Sequence, residues 1–281
     1  MRIHAAAFAG GLLLALVTGQ EAEPKSAPER DERPLAITYL ANEGVLLARG
    51  ETKVLIDACL QTPYSIYAAL PEEVHADLAA GRKPFDGLDL ALASHVHRDH
   101  VQPASARAVL AGNPALALAS SPQVIAAVGE ELVDDDPLRE RLVELLPEPG
   151  KWRSYARGPV RLECFLLPHS GVRHASVQNL AHLVDVGGLR VLHLGDAEAS
   201  RSHLVPMGLK EREVDVACVP YWWLLSDSGK ELIEAEIAPR VTVAVHVPPG
   251  ELEQVRTTLR RNAPEVVVFG EPLQTRLVAP E

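Results

Sequence analysis

Three imidazoles and one carboxylate fall within six residues at His95-Val96-His97-Arg98-Asp99-His100. Imidazole nitrogen and carboxylate oxygen together suit a borderline-soft divalent cation such as Zn²⁺. In an extended segment His95 and His97 point the same way, because side chains alternate with a period of two. Asp99 and His100 lie just beyond and can turn toward a second position. The bland alternative is a solvated polar loop with coincidental histidines. So dense a set of ligand types in one run argues for a metal instead.

The elements that must position this run can be read on either side of it. Leu88–Ala93 is a short apolar stretch suited to a buried strand, ending at Ser94. The run therefore leaves a strand end, where α/β sheets place functional loops. Upstream, Leu35–Leu40, Val45–Ala48 and Lys53–Ile56 read as strands separated by the turn signals Asn42-Glu43-Gly44 and Gly50. Ser65–Ala80 has helical spacing, with Gly81 as its stop. Downstream, Pro103–Ala111 reads as a helix, Ala115–Ala119 as a strand, and further helices follow up to Leu146. Val160–Leu167, Leu180–Val186 and Leu189–Leu194 read as strands, the last two joined by the hairpin signal Gly187-Gly188. Val214–Val219, Val241–Val245 and Val266–Phe269 continue the strands, with helices near Lys230–Ile237 and Glu251–Arg261. No linker divides this region, so one mixed α/β domain over residues 35–281 is expected.

HxHxDH after an apolar strand resembles the signature of the metallo-β-lactamase-fold hydrolases, and His95, His97, Asp99 and His100 fill every defined position. NEGVLL and KVLIDA resemble that family's opening hairpin, so the resemblance runs from about Leu35 to Phe269. It implies an αββα sandwich of two mixed β-sheets flanked by helices. It also implies three later ligands in the order His, Asp, His, each after a strand. His169 in LLPHSG, Asp196 in VLHLGDAE and His246 in VAVHVP stand in that order. On this resemblance His95, His97 and His169 hold one ion, Asp99, His100 and His246 the other, and Asp196 bridges them. One or two Zn²⁺ ions are implied, with Mn²⁺ or Fe²⁺ as alternatives. Such ions lower the pKa of bound water from about 16 toward neutrality and so supply a hydroxide nucleophile. Asp99 would orient it, and His174 and Tyr221 are the candidates for general acid. The implied reaction is hydrolysis of an ester, lactone, amide or phosphodiester bond in a small molecule.

The commonest class B β-lactamases lack the final histidine that His100 provides here. Val101-Gln102-Pro103 follows the motif where glyoxalase II-like and ribonuclease Z-like members usually carry Gly. That context looks more like the branch of ascorbate-6-phosphate lactonase-like and N-acyl-phosphatidylethanolamine phospholipase D-like enzymes. Two rivals use the same fold: an iron-dependent redox protein and a non-catalytic metal-binding module. Flavodiiron members usually carry Glu where this chain has His97, which counts against that version of the first.

Several positions admit two readings. His174 and His182 compete with His169. His182 falls inside a strand pattern, where a structural histidine is expected, and His174 falls in a loop, where it could touch substrate. Asp196 could instead cap a helix over Ala197–Val205. Asp57, closing KVLID, either orients a ligand imidazole through its free ring nitrogen or simply forms a turn beside Ala58. Tyr221-Trp222-Trp223 packs the core or lines a substrate wall.

Composition limits the partners. The net charge is −11 over 281 residues, with a pI near 5.5. A chain that binds nucleic acid through phosphates is expected to be basic, so nucleic acid is disfavoured. Cys59, Cys164 and Cys218 are far apart, show no metal spacing, and read as buried free thiols, with a single disulfide as the alternative in an exported chain. Arg2, the apolar stretch Ala5–Val17 and Val17-Thr18-Gly19 read as an export signal over residues 1–19. That stretch is too short to span a bilayer comfortably as a permanent helix, so a small-molecule hydrolase exported to the periplasm or exterior is expected, with an uncleaved N-terminal anchor as the alternative. Residues 20–34 are charged and Pro-rich and read as a disordered tether.

Overall fold

Two sheets carry the architecture, and their hydrophobic patterning explains how they stack. The computed structural model describes residues 32–280. The expected export signal at 1–19 and most of the tether at 20–34 lie outside the described residues. The first sheet has seven strands: β1 (Leu35–Ala41), β2 (Gly44–Arg49), β3 (Thr52–Ile56), β4 (Leu90–Leu92), β5 (Ala117–Ser120), β6 (Leu142–Glu144) and β14 (Thr275–Val278). Their order is β14-β1-β2-β3-β4-β5-β6. The second, also of seven, is built from β7 (Trp152–Arg157), β8 (Val160–Pro168), β9 (Gln178–Val186), β10 (Leu189–His193), β11 (Val216–Pro220), β12 (Val241–Val245) and β13 (Val267–Val268). Its order is β13-β12-β11-β10-β9-β8-β7.

Alternation along each strand splits its side chains between two cores. Val54 and Ile56 of β3 point between the sheets while Leu55 points outward, and Val216 and Cys218 of β11 oppose Ala217 and Val219 in the same way. The outer face of the first sheet is covered by α1 (Glu72–Ala79), α2 (Pro103–Gly112) and α3 (Pro122–Gly129), through Val74, Leu78, Val109, Leu110 and Val124. The second is covered by α4 (Arg201–Leu204), α5 (Tyr221–Leu225), α6 (Asp227–Leu232) and α7 (Leu252–Asn262), through Leu204, Trp223, Leu232 and Leu259. The result is the αββα sandwich of two mixed sheets that the motif implied. Strands buried on both faces need near-continuous apolar runs, which is why β4, β5, β11 and β12 read so plainly.

Each sheet is antiparallel in one half and parallel in the other. In the first, β3, β4, β5 and β6 run parallel; in the second, β10, β11, β12 and β13 do. The antiparallel ladders through β2 and β9 make β1 run with β3 and β8 with β10. The C-terminal ends of β1, β3, β4, β8, β10, β11 and β12 therefore open on like edges of the two sheets. That is where an open α/β sheet offers its loops to a ligand.

The helix expected over Ser65–Ala80 is corrected: only Glu72–Ala79 is helical, with Pro71 at its N-cap. Proline disfavours helical backbone in the residue before it, so Leu70 cannot carry the helix through. The helices expected up to Leu146 end sooner, because Leu142–Glu144 pairs with β5 as a strand. Lys230–Ile237 divides into the end of α6 and a π-helical turn at Ile233–Ile237. No helix among the described residues is long and apolar enough to cross a membrane. The three cysteines are buried and free.

Candidate metal centre

Seven side chains from four strand ends converge between the sheets. His95, His97, His169 and Asp196 form one group and Asp99, His100 and His246 another, with the ligand atoms of each group within 4.8 Å of one another. β4 ends just before Ser94, so the motif starts where the strand stops. The amides of His100 and Val101 then both donate to the His97 carbonyl, 3.0 Å in each case. That turn sends His95 and His97 to the first group and Asp99 and His100 to the second, the division their spacing suggested.

Each later candidate is held by its own strand end. His169 follows β8, and its Nδ1 lies 2.7 Å from the Ser170 carbonyl. A donor there leaves Nε2 as the acceptor, 3.2 Å from His97 Nδ1 and 3.3 Å from Asp196 Oδ2. Asp196 follows Gly195, whose φ is +56°; a Cβ there would meet Asn179 Oδ1 at 2.4 Å and Ser94 Cβ at 2.6 Å. Only glycine lets β10 hand Asp196 into the cluster at so close an approach. The helix-cap reading does not describe it, since α4 begins at Arg201. His246 ends β12 with φ of +63°, its amide donating to the Asn42 carbonyl at 3.2 Å. Left-handed backbone at a non-glycine residue of the cluster is strain of the kind found at functional sites.

Asp196 faces both groups. Its Oδ2 lies 3.3 Å from His169 Nε2 and 3.9 Å from His95 Nε2, while its Oδ1 lies 3.3 Å from His246 Nε2 and 3.5 Å from His100 Nε2. Asp99 Oδ2 approaches His246 Nε2 at 3.4 Å and His100 Nε2 at 3.7 Å. His100 Nε2, His246 Nε2 and Asp196 Oδ1 are buried with no hydrogen-bond partner. Native cores seldom leave such atoms unsatisfied, so this donor set fits divalent cations. His100 and His95 are fully buried and His97 half-buried.

The electrostatics agree with a ligand cluster. Burial and the neighbouring imidazoles hold His95 well below the usual histidine range and His97 down to about 4, so both present neutral nitrogen at pH 7. Burial also opposes charge on His100, but Asp196, Asp57 and Glu43 overcome it and push that ring up to about 10. Burial works against ionised Asp196 too, yet His100 and His246 hold it well below the carboxylate range. Burial, and after it Asp196, pushes Glu43 well above that range.

Behind the cluster, Asp57 holds the His100 ring by a hydrogen bond. Its Oδ2 accepts from His100 Nδ1 at 2.8 Å and from the Ser94 hydroxyl at 2.6 Å, and its Oδ1 accepts from the Ser94 amide at 2.6 Å. His174 is half-buried in the loop after His169, its ring centroid 4.8 Å from that of His97 and 4.7 Å from that of His169. His182 lies inside β9, fully buried, with neither ring nitrogen partnered. The aromatic triplet divides its duties. Trp223 is core and donates to the Ala197 carbonyl at 3.0 Å; Trp222 packs edge-on to His246, centroids 5.3 Å apart. The Tyr221 hydroxyl is placed on Glu251, donating at 3.0 Å.

Three contributors escaped the sequence reading. Tyr67 sits edge-on to His246 at 4.5 Å, inside the stretch expected to be helical. Asn42 donates to the Asp99 carbonyl at 3.1 Å, and Glu43 is fully buried under His100. Asn42-Glu43-Gly44 read only as a turn signal between two strands.

The fold recurs in solved structures of low sequence identity. One is Igni18, a metallo hydrolase from the hyperthermophilic archaeon Ignicoccus hospitalis, with 14% identity over 88% of this chain and 100% of that chain and a TM-score of 0.60. An isothiocyanate hydrolase from Delia radicum gut bacteria gives 12% identity, coverage of 87% and 100%, and a TM-score of 0.61. CmlA, a diiron β-hydroxylase from Streptomyces venezuelae, gives 13%, with 90% of this chain but 55% of that one and a TM-score of 0.53. No curated protein matches the chain by sequence. The family model for the β-lactamase superfamily domain matches residues 36–246, the stretch that carries all seven converging side chains, and the chain therefore belongs to that superfamily, with the metallo-β-lactamase fold.

Proposed function

We propose that the chain is a metal-dependent hydrolase that holds two divalent ions, Zn²⁺ by preference, and cleaves an ester, lactone, amide or phosphodiester bond of a small molecule. The observation that carries this reading is Asp196, whose two oxygens face the two nitrogen clusters separately. His95, His97 and His169 would hold one ion, Asp99, His100 and His246 the other, and Asp196 would be shared. Ions so placed would acidify water and polarise the oxygen of the scissile group.

The chain's own residues supply direction and proton transfer. Asp99 is kept ionised by His246 and His100 despite its burial, and can accept a hydrogen bond from the attacking water. His174 stands beside His97 and His169 at the half-buried rim, placed to hand a proton to the leaving group. Tyr221 is the weaker candidate for that proton, since its hydroxyl is taken by Glu251 and burial and Glu251 push it up to about 12. Tyr67 and Trp222 form an aromatic wall beside His246, suited to the apolar part of a substrate.

We read residues 35–281 as the hydrolase domain, behind an export signal at 1–19 and a tether at 20–34. The test is metal content of protein purified without added metal, followed by an ester, lactone, amide and phosphodiester panel. Lactone and phosphodiester come first, because Val101-Gln102-Pro103 resembles the lactonase and phospholipase D-like branch. Zinc with hydrolysis of one class is the expected result. Iron together with dioxygen-dependent turnover would replace this reading with a redox one.

A further inference from the structure

Hairpin turns ordinarily lie in solvent, yet the turn between β1 and β2 is driven into the space between the sheets. Asn42 and Glu43 are 1% and 0% exposed. The turn is pinned from three directions. Its Asn42 carbonyl accepts the His246 amide at 3.2 Å, its Asn42 side chain donates to the Asp99 carbonyl at 3.1 Å, and its Glu43 carbonyl lies 3.1 Å from His193 Nε2. Gly44 permits the fit, since a Cβ there would lie 2.8 Å from the Ala41 carbonyl oxygen and 2.9 Å from that of Asp57.

This placement leaves the Glu43 carboxyl with both oxygens buried and unpartnered. Its Oε2 is 3.8 Å from His100 Nδ1 and 3.8 Å from His193 Nε2, too far for a hydrogen bond to either. His100 Nδ1 is already committed to Asp57, and its Nε2 is the atom turned toward Asp196 and Asp99. Glu43 thus lies beside the His100 ring, with a carboxylate oxygen, a His100 nitrogen and an Asp196 oxygen within 4.8 Å of one another. Glu43, Asp57, Asp99 and Asp196 are all buried, and each finds its basic partners among histidines. With ions bound and Glu43 ionised, these four carboxylates, none paired with a lysine or arginine among the described residues, would balance the charge of two divalent ions.

We propose that Glu43 is a positioning residue for the second cation, completing the charge of the centre from its buried place beside His100 and Asp196. The inference rests on the two-ion reading above. It gives the turn a reason to be buried: an uncompensated carboxylate is costly inside a protein and becomes favourable only when cations stand nearby.

Glu43→Gln keeps the shape and removes the charge, and Glu43→Asp keeps the charge on a shorter arm. Zn²⁺ affinities of both variants and the wild type are measured by competition with a chromophoric chelator, alongside thermal unfolding of the metal-stripped proteins. Wild-type protein that binds no second ion would overturn the two-ion reading itself. Given two ions, Glu43→Gln should bind the second about 10–100-fold more weakly, the usual effect of losing a residue beside a ligand imidazole, and the first nearly as before. The stripped variant should melt no lower than stripped wild type. Unchanged affinity for the second ion, or equal loss of both, overturns the role of Glu43. If Glu43→Gln fails to fold, Glu43→Asp decides: a second ion held within about tenfold of wild type supports the role, and greater loss overturns it.

Discussion

Replacing Asp57 with Asn isolates the support behind a single ligand. Asp57 has φ of +48°, a left-handed conformation that Asn tolerates and most residues do not, so the backbone is left unstrained. The carboxylate receives three donors: the Ser94 amide and hydroxyl at 2.6 Å each and His100 Nδ1 at 2.8 Å. An amide offers one oxygen in place of two, and its NH₂ must face at least one of those donors. The Ser94 hydroxyl can rotate to accept instead; the Ser94 amide and His100 cannot both be served while His100 keeps its Nδ1 proton, the tautomer that leaves Nε2 free for a metal. One buried donor is left unsatisfied, at about 1–3 kcal/mol of stability. His100 also loses its charged orienting partner, which typically weakens metal binding 10–100-fold, about 1.4–2.7 kcal/mol. The assay is chelator competition for Zn²⁺ together with urea unfolding of metal-stripped protein. The second ion should weaken by that factor while the first, proposed to lie on His95, His97 and His169, changes little. A folded Asp57→Asn protein whose second ion binds within about twofold of wild type would refute the reasoning.

Three further outcomes are expected. His169→Ala should lose metal and turnover together, whereas His174→Ala should keep its metal and lose turnover; the reverse pattern, by metal analysis and rate on one substrate, would move the ligand five residues along. His182→Leu should keep its metal and raise the unfolding midpoint by removing two unpartnered buried nitrogens, about 1–3 kcal/mol. Burial holds His182 down to about 3, so between pH 6.5 and 3 the unfolded chain binds the extra proton. The metal-stripped wild type therefore loses stability as pH falls through that window, on the order of 5 kcal/mol from this group alone, and His182→Leu should flatten the acid limb of its stability curve. Secreted material should begin near Gln20, as read by N-terminal sequencing; an intact Met1 on cytoplasmic protein would contradict export.

The legible parts of this chain were those whose signal is local. HVHRDH announces itself because two ligand pairs lie within one turn after a strand, and the buried parallel strands announce themselves because both of their faces are apolar. Three strands went unread, β6, β7 and β14, and all three are sheet edges. An edge strand such as Trp152–Arg157 is largely exposed, so its sequence carries no apolar period and only its neighbour's ladder makes it a strand. The loop of Tyr67 was masked by helical spacing that Pro71 interrupts. Glu43 and Asn42 were invisible for a different reason. A polar turn is the expected solvent-facing connection, and its burial follows only from the way the two sheets close over it.

The most direct test of the account is the metal stoichiometry of purified protein, wild type beside Asp196→Ala, by mass spectrometry of the intact folded chain. The account predicts two divalent ions per wild-type chain, removed by chelator with loss of hydrolysis and restored with it, and fewer than two in the variant because both positions share that carboxylate. Two ions retained in Asp196→Ala, or none in wild-type protein after reloading, would contradict it.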